Sequence, residues 1–150
     1  MENCLFCKIV RNELPRVILS EDEKHMAIMD LYPNTKGVTV VITKNHFDSD
    51  ATDMPERDFS DLMLFVKKTA KILEKGLDVQ RVSLVMEGLG INHVHVKLYP
   101  LHGLTEKFVQ MWHPDKIFFD KYEGYITTQI GPEVTMEERQ KIVAEIRSKI

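Results

Sequence analysis

His93-Val-His-Val-Lys-Leu-Tyr-Pro100 is the most informative stretch in this chain of 150 residues. Its apolar and polar residues alternate, which predicts a β-strand that turns two valines and Leu98 toward a core. The opposite face then carries His93, His95, Lys97 and Tyr99. Such a row of imidazoles beside an ammonium favours a nucleophile, a general acid or base, a metal ligand or a phosphate-binding group. An ordinary solvated strand face is the alternative.

The residues on either side of this strand predict an α+β domain. Short apolar runs between turn-forming clusters indicate four more strands, at residues 17–20, 25–31, 37–44 and 81–86. Over residues 53–75 apolar side chains recur every three or four positions, which predicts one long helix between the third and fourth strands. That helix is expected to cover one face of the sheet.

Helix ends have sequence signals of their own. Asp53 with Glu56 matches a capping box, and Gly76 before Leu77 matches a Schellman stop for the long helix. Thr135 opens a second capping box and so predicts a C-terminal helix over residues 135–149. Upstream, a short helix is predicted within residues 4–14, and residues 101–134 lack a clear period, which predicts an irregular arm or cover.

Composition narrows the class of protein. With 43% apolar residues, residues 1–150 are expected to form a single domain. The sequence has neither a long uninterrupted apolar run nor a basic start followed by an apolar segment, so we expect a soluble, cytoplasmic protein without membrane binding. Twenty Lys and Arg against 23 Asp and Glu give a net charge of -3, which argues against nucleic acid as a partner.

Cys4 and Cys7, the two cysteines of the chain, are spaced as C-x-x-C. This spacing is typical of a metal site or a redox site. We favour zinc, because too few residues precede Cys4 to form the strand that a redox helix follows. Two sulfurs supply half of a tetrahedral site, so two histidines would have to come from elsewhere in the chain. Two buried thiols that act as small apolar groups are the alternative.

His93-Val-His-Val-Lys-Leu resembles the signature of the histidine triad (HIT) superfamily, with Lys97 in place of the third histidine. The segments 4–15, 29–33 and 40–46 are similar, in order and spacing, to the start of bacterial members with an amino-terminal C-x-x-C. The resemblance covers residues 4–99. It implies a HIT-like fold with a five-stranded, mainly antiparallel sheet, and a purine nucleotide or dinucleoside polyphosphate as ligand.

The resemblance also implies roles for individual residues. His95 matches the nucleophile that forms a covalent nucleotidyl-histidine in a hydrolase or nucleotidyltransferase, and His93 orients its ring or binds metal. Asp30 matches the ribose-binding carboxylate, although a turn residue is the alternative reading. The apolar positions around the base, which would otherwise be core, are Phe6, Ile9, Met29 and Leu31. The shortened turn before the strand would bind anions through Gly88, Gly90 and Asn92, or its glycines would serve the turn alone.

The same resemblance supplies the missing zinc ligands. Cys4, Cys7, His46 and His93 would form a closed tetrahedral site, which is structural and leaves His95 free. Members of this superfamily commonly pair through the long helix and an edge strand. Here Met63 and Phe65 flank the apolar stripe of that helix, so we expect a homodimer.

Lys97 is the main departure from the family pattern. A lysine supplies charge but donates a proton weakly at neutral pH, so we interpret Lys97 as a phosphate-binding group. Two functions therefore stay open at this point. One is an enzyme that cleaves a phosphoramidate, a phosphoanhydride or a dinucleoside polyphosphate at the α-phosphorus. The other is a catalytically weak or inactive module that binds a mononucleotide.

Overall fold

The structure, a computed structural model, describes residues 3–124, 126 and 130–150. Its five strands are β1 Ile18–Glu21, β2 His25–Met29, β3 Thr39–Thr43, β4 Val82–Val85 and β5 His95–Pro100. Its helices are α1 Leu5–Val10, α2 Glu56–Leu77 and α3 Met136–Arg147. The predicted fold class is confirmed, since the long helix lies between the third and fourth strands and a helix follows the sheet.

All neighbouring strands of the sheet are antiparallel, in the order β1-β2-β3-β5-β4. β5 therefore lies inside the sheet, between β3 and the edge strand β4. Across these strands Ile28 pairs with Val40 and Val40 with Lys97, while Ile42 pairs with His95. One row of neighbouring residues thus connects the centre of β2 to the polar face of β5.

Both faces of the sheet are covered. Val94, Val96 and Leu98 belong to the large core beneath α2, as the alternation predicted. On the other face α1 places Phe6 and Ile9 in a second cluster, whose sheet residues are Met26, Ile28, Val40 and Ile42. The polar side chains of β5 share this second face, so they lie in a partly enclosed space between α1 and the sheet rather than in open solvent.

Both predicted ends of the long helix were wrong in detail. The helix begins after Pro55, which has no side-chain cap, because Asp53 lies in a short 3-10 turn that Asp50 caps instead. At the other end Gly76 is still helical, and Asp78 forms the cap in the left-handed conformation with φ 54°. Gly76 is required for packing, since a Cβ there would lie 2.3 Å from the Ile146 side chain of α3.

The C-terminal segment runs beside the end of β2 before α3 begins. Gly131 donates a backbone hydrogen bond to Tyr32 at 3.1 Å, and Val134 donates one to Leu31 at 2.9 Å. The predicted capping box of Thr135 and Glu138 is confirmed. These bonds tie the first turn of α3 to the edge of the polar face.

The rest of the predicted arm is irregular where the structure describes it. Between Pro100 and Met136 the described residues form neither helix nor strand, and aromatic side chains such as Trp112 and Phe118 are exposed. Residues 125 and 127–129 of this arm, like residues 1–2, lie outside the described part of the chain. Among the described helices none has both the length and the apolar character needed to cross a membrane.

Candidate active site and metal centre

Four sulfur and nitrogen ligands meet where α1 begins, β3 ends and β5 is about to begin. The predicted set Cys4, Cys7, His46 and His93 comes together, with all four ligand atoms within 4.8 Å of one another. His93 Nδ1 lies 3.4 Å from the Cys4 sulfur and 3.6 Å from the Cys7 sulfur. His46 Nδ1 lies 3.4 Å from the Cys7 sulfur.

These distances fit a tetrahedral zinc ion. With Zn–S and Zn–N bonds of normal length, the sulfur and nitrogen ligands of a tetrahedral site are separated by roughly 3.5 Å. The second ring nitrogen of each histidine is also held. His93 Nε2 donates to the Thr43 carbonyl at 2.9 Å, and an Asp48 carboxylate oxygen lies 3.5 Å from His46 Nε2. Such outer contacts orient metal-binding histidines in known zinc sites.

Zinc would also change the protonation of the thiols. Burial raises the pKa of Cys7, and its contact with Cys4 acts in the same direction. Without metal the buried sulfur therefore keeps its proton. Zinc binds thiolates and neutral imidazoles, so metal binding releases protons and ties the start of α1 to the ends of two strands.

His95 lies next to this cluster at the start of β5, with 8% of its surface exposed. Its Nδ1 is 2.7 Å from the His93 carbonyl oxygen. A carbonyl can only accept, so Nδ1 carries the proton and Nε2 keeps a free lone pair. Burial lowers the pKa of His95, and the nearby charge of Lys97 also lowers it, although the bond to His93 opposes both. The neutral imidazole is therefore the favoured form.

A cleft of about 850 Å³ lies between α1 and the second face of the sheet, and His95 and Lys97 line it. The Phe6 ring forms one wall, at 5.3 Å from the His95 ring. Apart from Gly88 and Asn92, the predicted nucleotide-binding residues all line this cleft: Phe6, Ile9, Met29, Asp30, Leu31 and Gly90. Its size and its mixture of apolar and polar walls suit a small ligand.

Strand alternation modifies the prediction for the base-binding residues. Met29 borders the cleft but belongs to the core beneath α2, whereas its neighbour Ile28 belongs to the cluster on the cleft side. Ile28 and Val40 were missed as cleft residues. The sequence does predict the position of Ile28. Side chains of a strand alternate with a period of two, so Ile28 shares a strand face with Asp30.

Asp30 and Lys97 form an ion pair at the side of the cleft. An Asp30 oxygen lies 3.0 Å from Lys97 Nζ, and the two side chains are 11% and 17% exposed. The other Asp30 oxygen accepts the Tyr32 backbone N–H at 3.0 Å. Lys97 Nζ is thus directed toward the Asp30 carboxylate at the end of β2.

Some residues of the turn before β5 pack on a neighbouring loop, and others line the cleft. Gly88 and Gly90 have φ of 72° and 87°, so both need the freedom of glycine. A Cβ on Gly88 would lie 2.7 Å from the Ser49 carbonyl. Asn92 accepts from the Ser49 N–H and donates to Asp48. Gly88 and Asn92 therefore pack on the 48–49 loop, whereas Gly90 and its neighbours Leu89 and Ile91 line the cleft.

The far wall of the cleft was not foreseen. It includes Arg16 before β1 and three residues of the C-terminal segment, Glu133, Met136 and Arg139. No periodicity shows that residues 131–134 lie beside residues 31–32, because the contact is made by backbone hydrogen bonds between irregular segments. The capping box at Thr135 predicts where α3 begins but not what lies beside it.

Fold and site together define a histidine-rich α+β domain with a ligand cleft on one sheet face. Residues 11–104 match the HIT domain, and the chain belongs to the HIT family. It is similar to an uncharacterized HIT-like protein of Methanocaldococcus jannaschii, at 34% identity over 75% of this chain and 92% of that protein.

Two further similarities concern an enzyme and a solved structure. The adenosine 5'-monophosphoramidase of Saccharomyces cerevisiae is 29% identical over 79% of this chain and 75% of its own. The crystal structure of a Zn-bound histidine triad family protein from Mycobacterium smegmatis aligns with a TM-score of 0.70 at 21% identity. That alignment covers 99% of this chain and 93% of the other, and it shows the shared fold.

Proposed function

We propose that this protein is a nucleotide hydrolase or nucleotidyltransferase that works through a covalent nucleotidyl-His95. The observation that carries the proposal is the hydrogen bond of 2.7 Å from His95 Nδ1 to the His93 carbonyl. It leaves Nε2 as an unprotonated nucleophile beside a cleft of the size of a nucleotide site. The related yeast monophosphoramidase supports the reaction class.

The proposed reaction has two displacements at the α-phosphorus. His95 Nε2 attacks phosphorus, a P–N bond forms, and the bond from phosphorus to the leaving group breaks with its electron pair. Water or another acceptor then attacks the same phosphorus, the P–N bond breaks, and neutral His95 returns. The acceptor's proton goes to solvent, and the product is a nucleoside monophosphate or its ester.

The rest of the cleft would position the nucleotide for these steps. Asp30 accepts hydrogen bonds from the ribose hydroxyls, and the base packs between Phe6 and Ile28. Lys97, next to His95 on the same strand face, offers its ammonium to a phosphate oxygen once the ligand separates it from Asp30. Zinc at the Cys4 cluster supplies a structural cross-link, which fixes the backbone whose carbonyl orients His95.

Lys97 sets the range of leaving groups. Among the described residues that line the cleft, His95 is the one imidazole, and as the nucleophile it cannot also protonate the leaving group. Lysine is a poor proton donor at neutral pH, and burial with nearby negative charge raises the pKa of Tyr99 on the same strand to about 12. Leaving groups that need no proton should therefore react best.

We expect phosphoanhydrides to react faster than alkyl phosphoramidates, by about 100-fold, because a general acid typically contributes that much. The measurement is single-turnover cleavage of a series of adenylyl and guanylyl compounds with graded leaving groups. A Lys97→His variant should narrow the difference in rate between phosphoanhydrides and alkyl phosphoramidates. Equal rates across the series in the wild-type protein would contradict this role of Lys97.

A second candidate function is favoured by the ion pair itself. Lys97 already neutralises Asp30, and a nucleotide must compete with that contact. Loss of turnover would leave a mononucleotide sensor or scaffold. Tight AMP or GMP binding, with no covalent intermediate and no hydrolysis of a broad substrate panel, would select this function. If the wild-type protein shows no hydrolysis, activity gained in Lys97→His would support the binding function for the native chain.

The test of the main proposal is to trap the intermediate. Protein is mixed with substrate labelled at the α-phosphorus and quenched in alkali, since phosphorus–histidine bonds break in acid. Peptide mass spectrometry should place the nucleotidyl group on His95. Turnover without any label on His95 would reject the covalent route.

We also propose a homodimer, with a revised surface. Phe65 does not flank a free stripe as predicted, because it is 6% exposed and its ring stacks on buried His25. The exposed apolar residues are instead Phe59 and Leu64 on α2 and Leu84 on the edge strand β4. An unpaired edge beside apolar groups is suited to a second copy.

Light scattering at micromolar concentration should give twice the monomer mass of 17.4 kDa. Leu64→Glu should shift the protein toward monomer, because it places a charge on the proposed interface. A Lys141→Glu variant, at an exposed position of α3 away from the proposed interface, should leave the mass unchanged. A monomer mass for the wild-type protein would contradict the dimer.

A further inference from the structure

Arg139 occupies an unusual position on α3. The buried residues of this helix are Arg139, Val143 and Ile146, spaced four and three apart. Val143 and Ile146 join the core beneath α2, as an amphipathic helix requires. The first member of this buried stripe is therefore an arginine where an apolar side chain would be ordinary, and only 7% of it is exposed.

Among the residues that the structure describes, protein groups satisfy this guanidinium poorly. Its Nε donates to the Thr135 carbonyl at a long 3.4 Å, and Arg139 forms no ion pair within the part of the chain that the structure describes. A buried charge without good hydrogen bonds is costly. The remaining N–H groups are therefore available to a ligand, and Arg139 lines the cleft.

Two more groups of the same wall can make hydrogen bonds. Glu133, also on the C-terminal segment, is exposed at the cleft and forms no ion pair among the described residues. Arg16 donates one terminal N–H to Asn12 Oδ1, and its buried Nε has no hydrogen-bond partner among the described residues. Two cationic donors and a carboxylate acceptor thus line the cleft in addition to His95, Asp30 and Lys97.

The location of this wall relates it to the bound ligand. His95 lies on β5 and Arg16 just ahead of β1, three strand spacings away, or about 14 Å across the sheet. That span is comparable to the long dimension of a mononucleotide. The C-terminal part of the wall lies beside Asp30, because Gly131 and Val134, on either side of Glu133, bond to Tyr32 and Leu31. If the α-phosphorus lies at His95 and the ribose at Asp30, the base extends past Asp30 toward Arg16 and has its edge along this wall.

We propose that Arg139 and Glu133 select guanine over adenine in this cleft, an inference that depends on the nucleotide function proposed above. Guanine presents the acceptors O6 and N7, which suit a guanidinium, and the donors N1–H and N2–H2, which suit a carboxylate. Adenine places an amino group where guanine has O6 and has an acceptor at N1. Both contacts therefore disfavour adenine.

Calorimetric titration of the wild-type protein with GMP, IMP and AMP tests this selection. GMP should bind about tenfold tighter than AMP, as one specific arginine contact to guanine provides. IMP keeps O6, N7 and N1–H, so it should bind closer to GMP than to AMP. Arg139→Met should bring the affinity for GMP closer to that for AMP while leaving AMP unchanged, because the Glu133 contact remains. Glu133→Ala should likewise weaken GMP alone.

Thermal unfolding separates this role from a structural one. Methionine fills the buried position without an uncompensated charge, so Arg139→Met should keep or raise the melting temperature. Arg147→Met, on the same helix but outside the cleft, is the matched control and should leave the GMP to AMP ratio unchanged.

Several results would overturn the inference. Equal or tighter binding of AMP by the wild-type protein excludes guanine selection, and so does an unchanged ratio in Arg139→Met. An equal loss of GMP and AMP affinity in that variant would assign Arg139 to general support of the cleft. If His95 is still labelled by substrate, these results reject guanine selection but leave the proposed nucleotide function standing. Absence of binding by all three nucleotides rejects the nucleotide site together with it.

Discussion

His95→Ala will form no covalent nucleotidyl-enzyme and will lose about 1,000-fold or more of the turnover measured for the wild-type protein. The alanine removes the one nucleophilic nitrogen that the His93 carbonyl leaves unprotonated in the cleft. The ribose and base contacts do not involve this ring, so nucleotide affinity should change much less than rate. Labelled substrate and single-turnover kinetics measure the two effects separately.

His102→Ala is the matched control for this experiment. His102 is exposed, and its Nε2 contacts the Lys36 carbonyl away from the cleft. It should retain both label and rate. Zinc content should be unchanged in His95→Ala, because His95 is not a member of the ligand set. Full activity of His95→Ala would show that another group is the nucleophile.

Removal of zinc should lower the melting temperature by about 10 °C or more. The expected stoichiometry is one zinc per chain, held by Cys4, Cys7, His46 and His93. α1 has only six residues, so its packing on the sheet depends on the cross-link to two strands. Elemental analysis of protein purified without a histidine tag, followed by melting with and without a chelator, measures both quantities.

Loss of metal should also weaken nucleotide binding. Phe6 sits between Cys4 and Cys7 in the sequence, and its ring contacts both the His93 and His95 rings. Cys4→Ser should therefore reduce zinc content and nucleotide affinity together, and Cys4→Ser protein should not recover when zinc is added back at low concentration. A zinc content near zero per chain after growth with added zinc would contradict the metal site. Both cysteines would then be buried thiols that act as small apolar groups.

The C-x-x-C pair and the alternation of β5 could be predicted because local patterns encode them, whereas His46 and His93 were assigned as metal ligands by the resemblance to the HIT superfamily. Alternation placed Val94, Val96 and Leu98 in the core and the polar residues of β5 on the other face. His93 shows the limit of that pattern, since β5 begins two residues later and its ring turns to the cysteines rather than into the cleft.

Contacts between distant irregular segments could not be predicted in the same way. The C-cap of α2 moved from Gly76 to Asp78 because Gly76 is needed against Ile146 of α3, a contact that exists only after the helices pack. The wall around Arg139 depends on two backbone hydrogen bonds to residues 31–32, and backbone groups have no residue type to recognise.

Those two backbone bonds have a consequence for synthesis. His95, Asp30 and the cluster of Cys4, Cys7, His46 and His93 all precede residue 100, whereas the C-terminal wall of the cleft begins at Ile130. As the chain leaves the ribosome, the amino-terminal part can fold first and expose an open groove with an apolar floor. Residues 130–139 complete the pocket later, so a chain terminated before them would carry His95 and Asp30 without the wall to which we assign the choice of base.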